Sequence, residues 1–246
     1  MFGVSKENLT LEERAARHGA LSDPIRLAIV DELVRSDRSP VELRRLFDIE
    51  SNLLAHHLDT LESVGMIQRS PSSGDGRRRY VRLIRATLPG LIPSDSLALA
   101  ASKALFVCSA NSARSQLAAA LWRNLAGVAA ESAGTHPAPR IHPGARAAAK
   151  RVGLDLGDRV PQSLEALEAI EPLPTLVITV CDQAHEEIEL GTNWLHWSIA
   201  DPVADGTKLA FDATVSELRE RISALLPTSP LSAITPSKHS KERKRA

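Results

Sequence analysis

The sequence predicts a mixed α/β chain in two parts: a small helical unit closed by a hairpin, then a parallel-sheet α/β unit. Three observations carry this. Helix-start signals crowd the first 65 residues and lead into a glycine-rich turn between two short strand-like runs. The stretch 86–102, ATLPGLIPSDSLALAAS, mixes proline, serine and small residues as a connecting segment does. Beyond it, short apolar runs alternate with helical periodicity, the pattern of a parallel sheet. A length of 246 residues leaves room for both units.

Asp23 is placed to cap a helix whose first turn holds Pro24, and Ile25, Ile29 and Leu33 follow at helical spacing. Ser39-Pro40-Val41-Glu42 is a capping box opening a short helix through Leu43 and Leu46. Ser51 is expected to cap a third helix with Leu54, Leu58 and Leu61 on one face, and Gly65 to end it in left-handed backbone. Met66-Ile67-Gln68-Arg69 and Arg79-Tyr80-Val81-Arg82-Leu83 then flank the turn at Gly74-Asp75-Gly76. Helix, short helix, longer helix and hairpin is the order of a winged helix-turn-helix, placed at residues 10–88, with a linker at 89–102.

The second unit is placed at 103–226. Its first strand, Ala104-Leu105-Phe106-Val107, runs straight into Cys108, and a helix over Arg114–Leu125 follows. Leu176–Val180 and Trp194–Ile199 read as further strands, and His142–Val152 and Ala210–Leu225 as helices. Residues 227–246 are rich in proline and serine and then basic, the composition of a disordered tail.

Composition excludes several classes. No apolar run approaches the roughly 20 residues needed to span a bilayer. The polar start, MFGVSKENLTLEERAARHG, lacks a signal-peptide core, so a cytoplasmic protein without membrane partners is expected. The zero net charge divides as +1 over residues 1–90, −5 over 91–236 and +4 over the last ten. Within the near-neutral first part, Arg77, Arg78, Arg79, Arg82 and Arg85 cluster. The only two cysteines, Cys108 and Cys181, point in such a protein to chemistry more than to a structural disulfide.

The sharpest signal is Cys108-Ser109-Ala110-Asn111-Ser112-Ala113-Arg114-Ser115, between a strand and a helix. Small residues let backbone N–H groups turn inward, and the helix aims its positive end at the same point. Arg114 adds a planar fork of donors that fits two oxygens of a tetrahedral anion. The same field favours thiolate over thiol at Cys108. Ser115 is placed to donate to the sulfur, and Asn111 to brace the loop. A cysteine and an arginine at this spacing alone are a weak signal; strand before, helix after, the adjacent serine and a downstream acid make it specific. That acid is Asp201, in Ala200-Asp201-Pro202 just after the third strand, able to protonate a leaving oxygen.

Residues 103–225 resemble the low-molecular-weight phosphatase superfamily, in particular its arsenate reductase branch. The resemblance rests on Phe106-Val107-Cys108 through Arg114-Ser115-Gln116, Ser132-Ala133-Gly134-Thr135, Val180-Cys181-Asp182 and Asp201-Pro202. It implies Cys108 as nucleophile, Arg114 as oxyanion clamp, Asp201 as general acid and Cys181 as resolving cysteine. Val203-Ala204 stands where tyrosine phosphatases of the superfamily place aromatic residues, which favours arsenate over a phosphotyrosine ring. Arsenate reduction needs a second thiol, Cys181 or a small cytoplasmic thiol, because its two electrons come from a sulfur pair. Three departures stand out. Ile188 occupies the place of a third cysteine in thioredoxin-coupled members, Ala110 that of a Gly or His, and Ala119 that of a potassium-binding Glu. No bound cofactor is expected. The reductant would be external, a low-molecular-weight thiol with a glutaredoxin-like partner, or thioredoxin. The alternatives are a protein tyrosine phosphatase and a non-catalytic oxyanion or redox sensor.

Residues 10–88 resemble the ArsR-type winged helix-turn-helix repressors, through Ala20-Leu21-Ser22-Asp23-Pro24-Ile25-Arg26, the capped helix at Ser39 and the run from Ala55 to Ile67. The resemblance implies a homodimer on double-stranded operator DNA, with a recognition helix from Asn52 to Val64. Ser51, Asn52, Ala55 and His56 would lie near its major-groove end, and Arg77, Arg78 and Arg79 would meet phosphates or the minor groove. The pair His56-His57 lacks further ligands nearby, so no metal is expected. Metal-sensing members often carry two cysteines in the helix that starts here near Ser39; this chain reads Val41-Glu42-Leu43-Arg44-Arg45-Leu46. Sensing would then fall to the thiol chemistry or anion binding of Cys108.

Overall fold

The structure, a computed structural model, describes residues 10–88, 102–170, 172–188 and 194–226. The expected linker, apart from Ser102, and the tail from Pro227 lie outside the described residues. The first unit opens on a helix that the periodicity did not reveal, α1 (Leu11–Leu21). Thr10 and Glu13 cap it in both directions, but it buries only Ala20 and so shows no apolar stripe. α2 (Pro24–Arg35) starts where Asp23 accepts the N–H groups of Ile25 and Arg26, and it buries Ile29, Val30, Leu33 and Val34. α3 (Pro40–Phe47) carries both arms of the Ser39–Glu42 box.

α4 (Ser51–Ser63) corrects one expectation: Glu50, not Ser51, holds the N-cap position, and no side chain caps it. Asp48 ends α3 in left-handed backbone (φ 49°), so only Ile49 and Glu50 separate the helices, and the extended cap geometry falls on Glu50. Gly65 leaves α4 at φ +69°, as expected. β1 (Ile67–Pro71) pairs antiparallel with β2 (Arg79–Leu83), Ile67 opposite Leu83 and Pro71 opposite Arg79.

The second unit runs β3 (Ala104–Cys108), α5 (Arg114–Ala126), β4 (Ala130–Gly134), α6 (Pro143–Arg151), α7 (Leu164–Glu168), β5 (Leu176–Thr179), α8 (Asp182–Glu187), β6 (Leu195–His196), α9 (Pro202–Asp205) and α10 (Lys208–Leu225). The sheet is parallel throughout, in the order β4-β3-β5-β6. β4 was not foreseen as a strand: Ala-Glu-Ser-Ala-Gly has little strand propensity, and pairing with β3 imposes the conformation. β6 is shorter than the expected run Trp194–Ile199. Trp197 still donates to Thr179, but Ser198 N–H turns away to the Asp37 carboxylate at 2.8 Å.

Asp37 belongs to the first unit, and this contact is one of many. The segment after α2 lies along the free edge of β6. Asp37 N–H donates to the His196 carbonyl (2.7 Å), His196 N–H to Ser36 Oγ (2.9 Å), and the Trp197 indole to the Arg35 carbonyl (2.9 Å). An edge strand that would otherwise present unpaired backbone groups is thereby covered. Arg221 of α10 clamps the Asp37 carboxylate, and Arg82 of β2 pairs with Glu217. The hairpin tip rests on α8 through Ser72, Ser73 and Asp75. The sequence suggested two units on a linker; the fold packs them together through buried polar contacts.

Candidate functional site

β3 delivers Cys108 to the end of the sheet at which the chain turns toward α5, and the loop between them is anchored from outside. The carbonyls of Cys108, Ser109, Ala110 and Ser112 accept the N–H groups of Thr135, His136, Ala138 and His142, at 2.9 to 3.2 Å. Those four carbonyls are thereby fixed on the segment 135–142. Asn111 adopts φ +48°, left-handed for a residue other than glycine. Its amide is tied on both sides: Nδ2 donates to Ser115 Oγ (2.8 Å), while Oδ1 accepts from Gln116 Nε2 (3.1 Å) and Gln162 N–H (3.0 Å).

The Ser115 hydroxyl also lies 3.0 Å from Cys108 Sγ. Since Oγ accepts from Asn111, its own proton is free to point at the sulfur. Arg114 opens α5 and is nearly buried. Its guanidinium donates to the Ile199 carbonyl (3.0 Å) and to Asp201 Oδ2 (2.9 Å). Asp201 Oδ1 in turn accepts from Val203 N–H and caps α9. Cys108, Arg114, Ser115 and Asp201, scattered over 94 positions of sequence, thus share one site mouth.

Cys181 stands at the end of β5, the strand beside β3. It is buried, with 1 % of its surface exposed, yet it is not remote: its sulfur accepts the N–H of Ser109, the residue after Cys108, at 3.1 Å. It also caps α8 by accepting from Ala184 N–H (3.4 Å). Both cysteines are free. Burial pushes the Cys181 thiol up to about 12, Cys108 nearby pushes in the same direction, and Arg114 works against both. Ile188 ends α8 and packs partly buried against the core.

Two positions matter that sequence reasoning missed. Gln162 arrives from the loop before α7 with no local motif to announce it. Gly134 does sit in a noted motif, but its role is steric: a Cβ there would lie 2.5 Å from the Ser109 carbonyl and 3.0 Å from Asn111 backbone and side chain. The remaining expected residues lie elsewhere. Ser51, Asn52, Ala55 and His56 are exposed on the first turns of α4, and Arg77, Arg78 and Arg79 are exposed on the hairpin. His57 faces inward, 3.8 Å from the Asp23 carboxylate.

Residues 103–237 match the family described as low molecular weight phosphotyrosine protein phosphatase. The chain belongs to that family. Among relatives of this low-molecular-weight phosphatase-type chain is a glutaredoxin arsenate reductase of Synechocystis sp., 30% identical over 133 residues that make up 50% of this chain and 95% of the relative. Similar solved structures include the arsenate reductase of Archaeoglobus fulgidus, 29% identical over 50% of this chain and 97% of that one, TM-score 0.42. YwlE from Bacillus subtilis, as a mutant, is 26% identical over 50% of this chain and 95% of its own, TM-score 0.44. Among the described residues of this chain, no helix is long and apolar enough to cross a membrane.

Proposed function

We propose that the chain joins a thiol-dependent arsenate reductase to a DNA-binding transcription regulator. The observation that carries the enzymatic half is the contact between Ser109 N–H and Cys181 Sγ, which sets a second sulfur against the loop of the first. A phosphatase has no use for such a thiol; arsenate reduction requires one. Cys108 attacks arsenate held by the loop N–H groups and by Arg114, which exchanges Asp201 for the oxyanion. Asp201, released at the mouth, serves the departing oxygen as general acid. Cys181 then attacks the Cys108 sulfur of the adduct, and arsenite leaves as the disulfide forms. The disulfide is returned to thiols by a low-molecular-weight thiol with a glutaredoxin-like protein, in keeping with the name of the Synechocystis relative, or by thioredoxin.

The regulatory half rests on the exposed first turns of α4, at Ser51, Asn52, Ala55 and His56, and on the exposed arginines of the hairpin, which act as recognition helix and wing. The protein would bind operator DNA as a cytoplasmic homodimer. A paired assay tests the enzymatic reading: arsenate reduction under several thiol donors beside hydrolysis of an aryl phosphate. Arsenite formation that Cys108→Ser abolishes is the expected result. Brisk aryl phosphate hydrolysis with no arsenate reduced under any donor would overturn it in favour of a tyrosine phosphatase. Oxyanion binding without turnover of either substrate would leave a sensor.

A further inference from the structure

The hairpin and Cys181 are joined by one short helix. Cys181 caps α8 with its sulfur, and the next residue, Asp182, holds the hairpin tip: its Oδ2 accepts Ser73 N–H at 2.7 Å and Ser73 Oγ at 3.0 Å. One turn further, Glu186 accepts from Ser72 Oγ (2.7 Å), Asp75 N–H (2.7 Å) and the Tyr80 hydroxyl (3.2 Å). The opposite side of Asp182 is fixed by His196 Nε2 at 3.2 Å. Burial opposes the charge on Asp182, but these donors outweigh it and keep its carboxyl far below the ordinary range. None of the latch contacts involves the side chains of Arg77, Arg78 or Arg79, which stay exposed beside the docked turn. The latch therefore orders the hairpin and leaves its cationic edge available.

We infer that this latch holds only while Cys108 and Cys181 are both thiols, so that arsenate turnover releases the hairpin and weakens DNA binding. The inference rests on the DNA-binding and arsenate-reducing readings above and names the regulation that joins them. Cys108 sulfur displaces water from arsenate and forms an S–As(V) bond. Cys181 sulfur then attacks Cys108 sulfur; the S–As electron pair passes to arsenic, which departs as arsenite, As(III). In sum, one dihydrogen arsenate ion and two thiols give one dihydrogen arsenite ion, one disulfide and one water. To bond with Cys108, the Cys181 sulfur must leave the N–H groups of Ser109 and Ala184. That strips α8 of its cap and moves the backbone that carries Asp182, whose contacts to Ser73 tolerate little displacement at 2.7 and 3.0 Å. A wing freed from α8 must be ordered again on DNA, and affinity falls by that ordering cost.

The test uses the full chain and a DNA duplex enriched from a random pool by the reduced protein. Affinity is read by fluorescence anisotropy before and after arsenate is added without reductant, with the disulfide confirmed by intact mass. The expected result is binding weaker by about tenfold, within the usual range of coupling between sites, and no response to arsenate in Cys181→Ser. Reciprocity requires that saturating duplex raise the midpoint potential of the disulfide by about 30 mV for each tenfold. Ser73→Ala and, as a shape-conserving second variant, Glu186→Gln should weaken the reduced protein's binding and flatten the response. If no duplex is enriched, the DNA-binding reading fails and the inference with it. If no disulfide forms, Cys181 is not the resolving thiol and the inference fails, while arsenite formation with external thiols tests the reductase reading separately. A disulfide that forms while affinity and potential stay put overturns the latch alone.

Discussion

Asp37 and Arg221 stand 184 positions apart and meet as a closed fork, Nη1 on Oδ1 at 3.1 Å and Nη2 on Oδ2 at 3.0 Å, with 1 % and 3 % of their side chains exposed. Asp37 Oδ2 also receives Ser198 N–H, and Arg82 lies 3.7 Å away. The pair therefore joins α2, β2, the end of β6 and α10 at one buried point. Burial opposes the charge on Asp37, but Arg221 and Arg82 overcome it and hold its carboxyl below the ordinary range.

Asp37→Ala should cost about 3–5 kcal/mol, because it strands a buried guanidinium without its partner. Urea unfolding of the full chain measures this. The double variant with Arg221→Ala should cost clearly less than the two single losses added together, since one interaction serves both. Strict additivity would mean that the fork is not a coupled pair.

Stability should also fall in acid. Burial alone would raise the Glu42 carboxyl, but hydrogen bonds from His185 and Ser39 bring it down from 4.5 to about 2. The folded chain then binds fewer protons than the unfolded chain between those values. The stabilisation is complete above about 4.5 and disappears as pH falls toward 2. The depressed carboxyls of Asp37 and Asp182 act in the same sense. Thermal melts between pH 6 and pH 3 should decline steadily on the acid side, and Glu42→Gln should flatten that decline; an unaltered slope would count against the assignment.

Cys181→Ser should separate the two chemistries open to the loop. Arsenate reduction should drop to what an external thiol can support, while any hydrolysis of an aryl phosphate continues, because only reduction needs the second sulfur. Equal losses in both assays would assign Cys181 to the packing of the loop instead of to electron transfer.

Gly134→Ala offers a test of loop geometry without touching a reacting group. Its Cβ would meet the Ser109 carbonyl at 2.5 Å and the Asn111 backbone at 3.0 Å, and backbone cannot swing aside as a flexible side chain can. A shift of the loop of this kind should lower turnover on the order of 100-fold, with circular dichroism unchanged. Near-native turnover would show that the loop adapts.

What the chain declares locally was legible. The caps at Asp23 and Ser39, the left-handed Gly65 and the strand–loop–helix around Cys108 each depend on residues a few positions apart, and hydrogen bonds at that range leave a pattern in sequence. Local reading also had limits: α1 lacked an apolar stripe, and β4 lacked strand-forming residues. From the sequence alone, then, come the strand–loop–helix around Cys108, Arg114 at the start of its helix, and the presence of a second thiol. Tertiary structure alone decided that Cys181 lies against Ser109, that Gln162 braces Asn111, and that the hairpin tip docks on α8. It also decided that Asp37 finds Arg221. Such partners are chosen by which strands lie side by side and which helix ends face each other; the sheet order brings them together across 51 to 184 positions, a separation at which sequence carries no periodic trace.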